Sequence, residues 1–332
     1  MGDSPEQAAL RSAVRSLVSR EASDAWKKLT GELGVTGLAV PEEYGGAGAT
    51  LAEVAVAVEE TGRELLPLPV LSTALAGVML GASDACSEFL PGIADGSLRA
   101  AFVFGDSMTV SSGRVSGVAA HVLDGVEADL FVVGLGAGLY VVRAADVVVT
   151  PAATLDQSRS QATVFFPESA AVAVPGADPA IAEELLRVLL AVESVGAAAH
   201  CLDVTVAYLR TREQFGRALG TFQALRHRCA DLAVLVASAR ATAYAAVSAA
   251  DSSADSSADE LLVLGPLAKK YCADVFWQVT AEMIQLHGGI GFTWEHEAHR
   301  YLKRAKTTQL LHGSPSELRR LIAERAGLLP TA

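Results

Sequence analysis

The stretch YLRTREQFGRALGTFQALRHRCADL, from Tyr208 to Leu232, says more about the fold than any other part of the chain. It sets Arg212, Gln214, Phe215 and Gln223 around a glycine, between two segments whose apolar residues recur at helical spacing. Arg212 offers a charged fork to a pyrophosphate, and the glutamines offer amides for hydrogen bonding. The exposed ring of Phe215 offers a face for packing. The stretch therefore predicts a turn between two helices that suits a large anionic, aromatic cofactor.

The helical spacing continues on both sides of this stretch. The predicted helices run roughly over Pro179 to Thr211, Thr221 to Ala250, Asp259 to His287 and Trp294 to Leu311, with a short helix after Pro315. This pattern predicts a four-helix bundle with a tail. The polar repeat DSSADSSADE, Asp251 to Glu260, predicts a mobile loop between antiparallel helices.

The amino-terminal part also has helical spacing, from about Ser4 to Leu98. The segment LAVPEEYGGAGAT interrupts it, because its proline and glycines cannot continue a helix. A helix is expected to follow from Thr50 to Arg63, with Thr50 as its N-cap and Glu53 completing a capping box.

The residues from Arg99 to Val174 change to short β-branched runs, such as AFVF, DLFVVG and ATVFFP, separated by turn residues. They predict a small antiparallel β domain. The expected architecture is therefore α+β, with a helical domain at 1–98, a shortened middle β domain at 99–178 and a helical bundle at 179–332.

Composition limits the classes of function. Hydrophobic residues make up 51% of the 332 residues and charged residues only 19%, which favours an oligomer with surface hidden between subunits. The net charge of −12 argues against nucleic acid or an anionic membrane as a partner. Four well-separated cysteines predict neither disulfides nor a metal site. The longest apolar run considered, Phe131 to Val142, is short and contains glycine, so a cytoplasmic protein is expected.

The Tyr208 to Leu232 stretch closely resembles the signature of the acyl-CoA dehydrogenase family, including the spacing of eleven residues between Arg212 and Gln223. ELGVTGLAVPEEYGG and VEETGRELLPLP resemble that family's first domain, and the resemblance covers nearly the whole chain. It implies an FAD enzyme in which the arginine and the second glutamine reach the FAD of a neighbouring subunit. A carboxylate base then removes the α-proton of an acyl-CoA thioester while the β-hydrogen leaves as hydride.

QLHGGIGF, Gln285 to Phe292, resembles the family's QxxGGxG turn. The resemblance implies that Gln285, Gly288 and Gly289 contact the AMP half of FAD, because glycine lets the backbone come close. The alternative is a helix C-cap.

The site for the flavin ring is not recognisable. The family carries TEPxxGSD near the start of its β domain, whereas the corresponding stretch here is AFVFGDSMTVSSGRVSG, Ala101 to Gly117. Ser107, Thr109, Ser111 and Ser112 could donate hydrogen bonds, although a serine-glycine segment is more often only a turn.

The base is missing from both of the family's usual places. LLHGSPSEL puts His312 where most members have a glutamate, and Leu186 stands beside Arg187 where others have one. His312 is a candidate base, with a helix cap or surface group as the alternative. Glu183 is a second candidate, with a solvated pair with Glu184 as the alternative.

Two further charged groups have structural interpretations. Glu317 is expected to pair with Arg319 or Arg320 in the last helix. HEAHRYLKRAK, His296 to Lys306, resembles a basic family segment, and a solvated or salt-bridged helix face is favoured, with Arg300 and Arg304 tying the bundle.

A chain that keeps the FAD tail contacts and lacks the base resembles the short, glutamate-lacking subunit of bacterial α2β2 acyl-CoA dehydrogenases that act on steroid side-chain CoA thioesters. The resemblance implies a catalytic sister subunit, a shared FAD and an electron-transfer flavoprotein as electron acceptor. A self-sufficient homomeric enzyme with Glu183 or His312 as a displaced base is the first alternative. A non-enzymatic assembly scaffold is the second.

Overall fold

The amino-terminal part of the chain is helical, as predicted. In the computed structural model, which describes residues 3–18, 24–105, 107–252 and 257–329, its helices are α1 (Pro5–Val18), α2 (Ala25–Gly31), α3 (Leu51–Arg63), α4 (Val70–Leu80) and α5 (Leu90–Ala94).

The predicted capping box begins α3. The Thr50 hydroxyl accepts a hydrogen bond from the Ala52 amide at 3.3 Å, and the Glu53 carboxylate accepts one from the Thr50 amide at 3.0 Å. The Asp251 carboxylate adds bonds from the Leu51 and Ala52 amides at 2.8 and 2.9 Å. Asp251 follows the last residue of the bundle's second helix, so this cap joins the two helical parts of the chain.

The middle part forms one sheet. Its strands are β1 (Ala100–Phe104), β2 (Met108–Ser111), β3 (Arg114–Leu123), β4 (Leu130–Leu135), β5 (Gly138–Arg143), β6 (Val148–Pro151) and β7 (Gln161–Val174). The order is β1-β4-β5-β7-β3-β2, and β6 also pairs with β7.

The prediction of a purely antiparallel sheet is wrong for one pair. Strands β1 and β4 are parallel, with Ala100 opposite Leu130 and Phe104 opposite Gly134. Both strands are continuous apolar runs and almost entirely buried. Such runs are typical of strands covered on both faces, and that is where parallel pairing occurs.

The carboxyl-terminal part is helical, as predicted. Its helices are α6 (Pro179–Thr211), α7 (Gln223–Ala250), α8 (Ser257–His287), α9 (Ala298–Leu310) and α10 (Pro315–Arg325), and the hairpin strands β8 (Glu213–Gln214) and β9 (Arg217–Ala218) separate α6 from α7.

The predicted loop between α7 and α8 is shorter than expected. Residues 257–260 already belong to α8. Residues 253–256, the middle of the predicted loop, lie outside the described residues.

By length and composition alone, helices α6 and α7 are long and apolar enough to cross a membrane. Inspection of the apolar run at residues 131–142 alone did not detect these two helices as candidates. The most apolar window of α6 is 78% buried inside the protein, whereas that of α7 is only 33% buried. Core helices of soluble proteins meet the same criterion, so α6 is adequately explained as the centre of the bundle. Helix α7 leaves an apolar face uncovered.

Arg304 of α9 joins the bundle to the sheet. Its Nε donates to Asp156 at 2.7 Å, its Nη2 to the Ser158 carbonyl at 2.7 Å, and its Nη1 to Glu193 of α6 at 3.2 Å. The residue is 1% exposed. The prediction of a solvated or salt-bridged helix face in which Arg304 ties the bundle is therefore confirmed for Arg304 through these ion pairs. Arg300 is exposed. These partners compensate the cost of burying the Arg304 charge. We call the group formed by Arg304, Asp156, Ser158 and Glu193 the clamp; it fixes the segment between β6 and β7.

Candidate functional site

The β8–β9 hairpin shapes the first candidate site. Gln214 pairs with Arg217, so Phe215 and Gly216 form a two-residue turn, with φ values of 55° and 75°. Positive φ at both central positions is the geometry of a type I′ hairpin turn, in which a phenylalanine is unusual. Phe215 is 87% exposed. The turn therefore holds an aromatic ring out in solvent at a backbone cost.

A groove of about 600 Å³ opens beside this hairpin. We call it the bundle groove; the predicted residues that line it are Arg212, Gln214, Gln285, Gly288 and Gly289. These residues come from the end of α6, the hairpin and the end of α8, which the bundle brings together.

Two of the predicted cofactor contacts do not line the bundle groove. Phe215 lies at the hairpin tip, and Gln223 is the first residue of α7. Either could reach only a ligand that extends beyond the groove.

The glycines after α8 leave their side of the groove open. A Cβ built on Gly288 or on Gly289 meets no atom within 4 Å. Gly288 has a φ of 63° directly after the last residue of α8, so the C-cap interpretation also holds for it. Gly289 has a φ of −55°, which any residue can adopt. Conformation therefore explains glycine at 288, whereas neither conformation nor packing requires glycine at 289.

Two aromatic residues of the groove were not predicted. The rings of Tyr208 and His287 stack at 4.4 Å, and the Tyr208 hydroxyl donates to the His287 carbonyl at 3.3 Å. The His287 Nδ1 lies 2.7 Å from the Met283 carbonyl, so it carries the proton. Burial lowers the pKa of His287, which favours the neutral form of its imidazole. Tyr208 opens the quoted stretch and stands one helical turn before Arg212, which was the available signal.

The bundle groove fits part of a dinucleotide. Among the residues that the structure describes, no carboxylate pairs with the Arg212 guanidinium, so this cation is available to a phosphate. The Gln214 and Gln285 amides provide donors and acceptors, and the Tyr208–His287 pair provides an aromatic surface. This donor set matches the phosphates and a purine of FAD.

A second concave site lies between the sheet, α6 and the α9–α10 turn. Its volume is about 710 Å³, and both candidate bases, Glu183 and His312, line it. We call it the three-part cavity. Its walls include Phe104 and Leu311.

Two acids near this cavity, Glu183 and Glu184, are paired with arginines. Arg187 donates from Nη2 to Glu183 at 2.6 Å and pairs with Glu184 through Nη1. Arg325 also pairs with Glu184, at 2.6 Å. The side chain of Glu184 is fully buried, so the interpretation of Glu183 and Glu184 as a solvated pair is wrong. The negative charges of Glu183 and Glu184 compensate the positive charge of Arg187. The neighbouring residue, Leu186, is buried in the core.

His312 is neither a cap nor a surface group. Its φ of 52° places it in the left-handed region after α9, and Arg187 Nε donates to its carbonyl at 2.9 Å. Part of the residue is accessible, but its Nε2 is buried and has no hydrogen-bond partner among the described residues. Burial, aided by Arg187, Lys269 and Arg159, lowers the pKa of His312 to about 3. Its imidazole is a much weaker base than a free histidine.

Other predicted groups do not supply the missing chemistry. Ser107, Thr109, Ser111 and Ser112 are exposed and do not line the three-part cavity, and Ser112 belongs to the turn between β2 and β3. Glu317 lines the cavity, but its carboxylate caps α10 by accepting from the Ser314 amide at 2.7 Å. The expected pair with Arg319 or Arg320 is replaced by this cap.

Two family models match the chain. The acyl-CoA dehydrogenase N-terminal domain matches residues 4–97, and the acyl-CoA dehydrogenase C-terminal domain matches residues 184–327.

Known proteins match over nearly the full length. Acyl-CoA dehydrogenase IpdE2 of Mycolicibacterium smegmatis is 36% identical over 97% of this chain and 99% of its own. The solved Tcur3481-Tcur3483 steroid ACAD is 26% identical, covers 97% of this chain and 98% of its own, and has a TM-score of 0.85. The ChsE4-ChsE5 complex from Mycobacterium tuberculosis shares the fold, with 24% identity, 99% coverage of both chains and a TM-score of 0.85.

Proposed function

Because the chain belongs to the acyl-CoA dehydrogenase family, we propose that it is a non-catalytic partner subunit that completes the FAD site of a catalytic sister subunit. The family consists of FAD-dependent oxidoreductases that act on CH–CH donors. The assembly would be a cytoplasmic heterotetramer that desaturates the α,β-bond of an acyl-CoA thioester.

The contrast between the two concave sites carries this proposal. The bundle groove presents the Arg212 guanidinium at the surface without a carboxylate partner among the described residues. The three-part cavity presents a neutral His312 and a Glu183 already paired with Arg187. A chain of this kind can hold part of a dinucleotide, while proton abstraction is left to another subunit.

The proposed contacts to FAD are those of the bundle groove and its margin. Arg212 would pair with the pyrophosphate, and Gln285, Gly288 and Gly289 would approach the AMP half. Gln214 would add an amide from the hairpin, and Phe215 and Gln223 would reach the part of FAD held by the sister subunit. FAD itself supplies the acceptor for the hydride that desaturation releases.

Exposed apolar surface supports a partner subunit next to the groove. Phe292 and Trp294, on the segment between α8 and α9, are 89% and 79% exposed, and Phe215 is 87% exposed. Large aromatic side chains of this kind are typical anchors of protein interfaces. The uncovered apolar face of α7 supports the same interpretation.

The substrate class and the electron acceptor are part of the proposal. Similarity to a steroid ACAD whose name joins two components favours a steroid-derived acyl-CoA thioester, in steroid degradation, as the substrate of the sister subunit. An electron-transfer flavoprotein is proposed as the electron acceptor of the assembly.

A self-sufficient homomeric enzyme is the second candidate, because the Glu183 carboxylate does line the three-part cavity. A non-enzymatic scaffold is less well supported, since assembly alone would not require an available Arg212.

The test is the visible flavin absorbance of the purified full-length chain, alone and co-expressed with a candidate sister subunit. We expect a colourless chain alone and a yellow complex that an acyl-CoA thioester bleaches. A yellow chain that is bleached by thioester on its own would contradict the proposal and favour the homomeric enzyme. A stable complex with no flavin would favour the scaffold.

A further inference from the structure

A second arginine lines the bundle groove. Arg228, near the start of α7, joins Arg212 in the wall of the groove. No aspartate or glutamate lines the groove among the residues that the structure describes. Although the whole chain carries a net charge of −12, this surface is therefore cationic.

The two arginines differ in what holds them. The Arg212 guanidinium has no carboxylate partner among the described residues, whereas Arg228 forms an ion pair through Nη2 with Glu282 of α8. The side chains of Arg228 and Glu282 are 41% and 28% exposed. Ion pairs with this much exposure contribute little to stability, so a phosphate can replace the carboxylate.

The geometry of the pair is also that of a weak interaction. The Glu282 Oε2 that contacts Arg228 is buried, and it accepts no hydrogen bond from any residue that the structure describes. Strong arginine–carboxylate pairs consist of aligned hydrogen bonds, often two in parallel. The remaining Arg228 nitrogens, Nε and Nη1, have no hydrogen-bond partner in the described part of the chain. Most donors of this guanidinium are therefore available to a ligand.

Glu282 stands beside the groove and not in its wall. It precedes Gln285 by one turn of α8, and Gln285 lines the groove. A ligand that binds Arg228 in its place leaves the Glu282 carboxylate on a side chain that is partly exposed, so water can hydrate the released charge. The exchange of partners therefore leaves no buried charge uncompensated.

A diphosphate supplies the anion for such an exchange. Each of its two phosphates carries negative charge, and the planar fork of one guanidinium matches one phosphate. Arg212 alone would compensate one phosphate and leave the other. Arg228 is the second arginine of the groove wall, and it can compensate the other phosphate.

We propose that Arg228 binds the second phosphate of a diphosphate in the bundle groove, in exchange for its ion pair with Glu282. Glu282 acts through Arg228 and limits the affinity of the groove for anions. The inference rests on the proposed function because it concerns the same groove. It adds a preference for diphosphates over monophosphates that the proposed function does not require.

The test is a calorimetric titration of the isolated full-length chain with ADP and with AMP, in the absence of divalent cations. We expect ADP to bind more tightly than AMP. R228Q should weaken ADP binding by about tenfold, which corresponds to roughly 1.4 kcal/mol, and leave AMP binding unchanged. E282Q should strengthen ADP binding by about three- to fivefold, because Arg228 would no longer have to leave a carboxylate.

The double variant R228Q/E282Q separates the exchange from a general effect of charge. If Glu282 acts through Arg228, the double variant should bind ADP nearly as R228Q does, because no arginine is left to be released. An equal gain from E282Q with and without Arg228 would mean that Glu282 only repels the anion, and the proposal would be wrong.

R226Q is the matched control, since Arg226 is an exposed arginine of the same helix that does not line the groove. Its affinity for ADP should equal that of the unmodified chain. Equal losses in R226Q and R228Q would mean that net charge alone attracts ADP, against the proposal. Absence of ADP binding to the unmodified chain, or equal affinities for ADP and AMP, would also overturn it.

Failure of the proposed function would give a different result. A co-expressed complex without flavin would contradict the proposed function, while ADP binding that depends on Arg228 in the isolated chain would still support the exchange. A flavin-containing complex, with ADP affinities of the isolated chain that R228Q and E282Q leave unchanged, would contradict the exchange alone.

Discussion

The bundle groove and the three-part cavity are both concave and both contain arginine, yet they use it in opposite ways. In the groove, Arg212 has no carboxylate partner among the described residues. In the cavity, Arg187 is held by Glu183, Glu184 and the His312 carbonyl. A cation left available can bind a ligand, whereas a cation compensated within the chain stabilises the fold. Residue type alone therefore does not identify a site.

The largest expected effect concerns the clamp next to the cavity. R304A should lower the free energy of unfolding by about 3–5 kcal/mol, because Asp156 and Glu193 would keep buried charges without their cation. The urea midpoint measures this. R300A, which removes an exposed arginine of the same helix, should change stability by less than about 0.5 kcal/mol. Equal effects of the two substitutions would show that the clamp contributes little.

The next effect tests the groove. R212A in the co-expressed complex should weaken FAD binding by about ten- to a hundredfold, since a hydrogen bond to a charged group contributes roughly 1.5–3 kcal/mol. Assembly should be largely retained, as judged by co-purification. R210A is the matched control, because Arg210 is exposed at the end of α6 and does not line the groove. Unchanged flavin content in R212A would mean that the groove is not part of a cofactor site.

The third effect is the part of the pH dependence of stability that arises from His312 in the cavity. The pKa of His312 falls from 6.5 to about 3 on folding, so the unfolded chain binds the proton more tightly. Its contribution to stability is full above pH 6.5 and is lost as the pH falls towards 3, by up to about 1.4 kcal/mol per pH unit.

H312Q should remove that part of the pH dependence, measured as urea midpoints between pH 7 and pH 5. H227Q, which changes an exposed histidine of α7, should keep it. Burial raises the pKa of Asp124 to about 6, so this residue makes the folded chain more stable as the pH falls, opposite to the effect of His312. The contribution of Asp124 is the same in both variants. Identical pH profiles for H312Q and the unmodified chain would contradict the burial of this imidazole.

The smallest effect separates conformation from access in the groove. G289A should leave stability unchanged or raise it by up to about 1 kcal/mol, because φ is −55° and the new Cβ meets no atom. It should still lower FAD content in the complex, since the methyl group would stand between ligand and backbone. G288A should destabilise the chain by about 1 kcal/mol, because its φ is 63°. Full flavin content in G289A would remove the argument for backbone access.

Local signals account for most of what could be predicted. Helix α6 begins and ends at the predicted residues because Asp178 caps it, Pro179 suits its first turn and the hairpin ends it. The capping box of α3 could also be predicted, because Thr50 and Glu53 lie close together in the sequence. The parallel pairing of β1 with β4 could not be predicted, because a continuous apolar run does not specify whether the neighbouring strand is parallel or antiparallel.

Signals from distant residues were missed. The burial of Arg304 depends on its partners Asp156 and Glu193, which lie 148 and 111 residues away in sequence. No pattern along α9 reveals these partners. The burial of Glu184 and His312 has the same origin, since α8 and α10 cover them. The domain division at residues 98 and 178 and the contacts to FAD stay predictions.

The cap that Asp251 provides for α3 also bears on the order of folding. Its carboxylate accepts from the Leu51 and Ala52 amides, which lie 200 and 199 residues earlier. The first turn of α3 can form its Thr50 cap early, but these two bonds must wait until α7 has been synthesised and docked. The Ala52 amide also donates to the Thr50 hydroxyl, so protection of the Leu51 amide from hydrogen exchange would mark the moment at which the two helical parts of the chain become one folded unit.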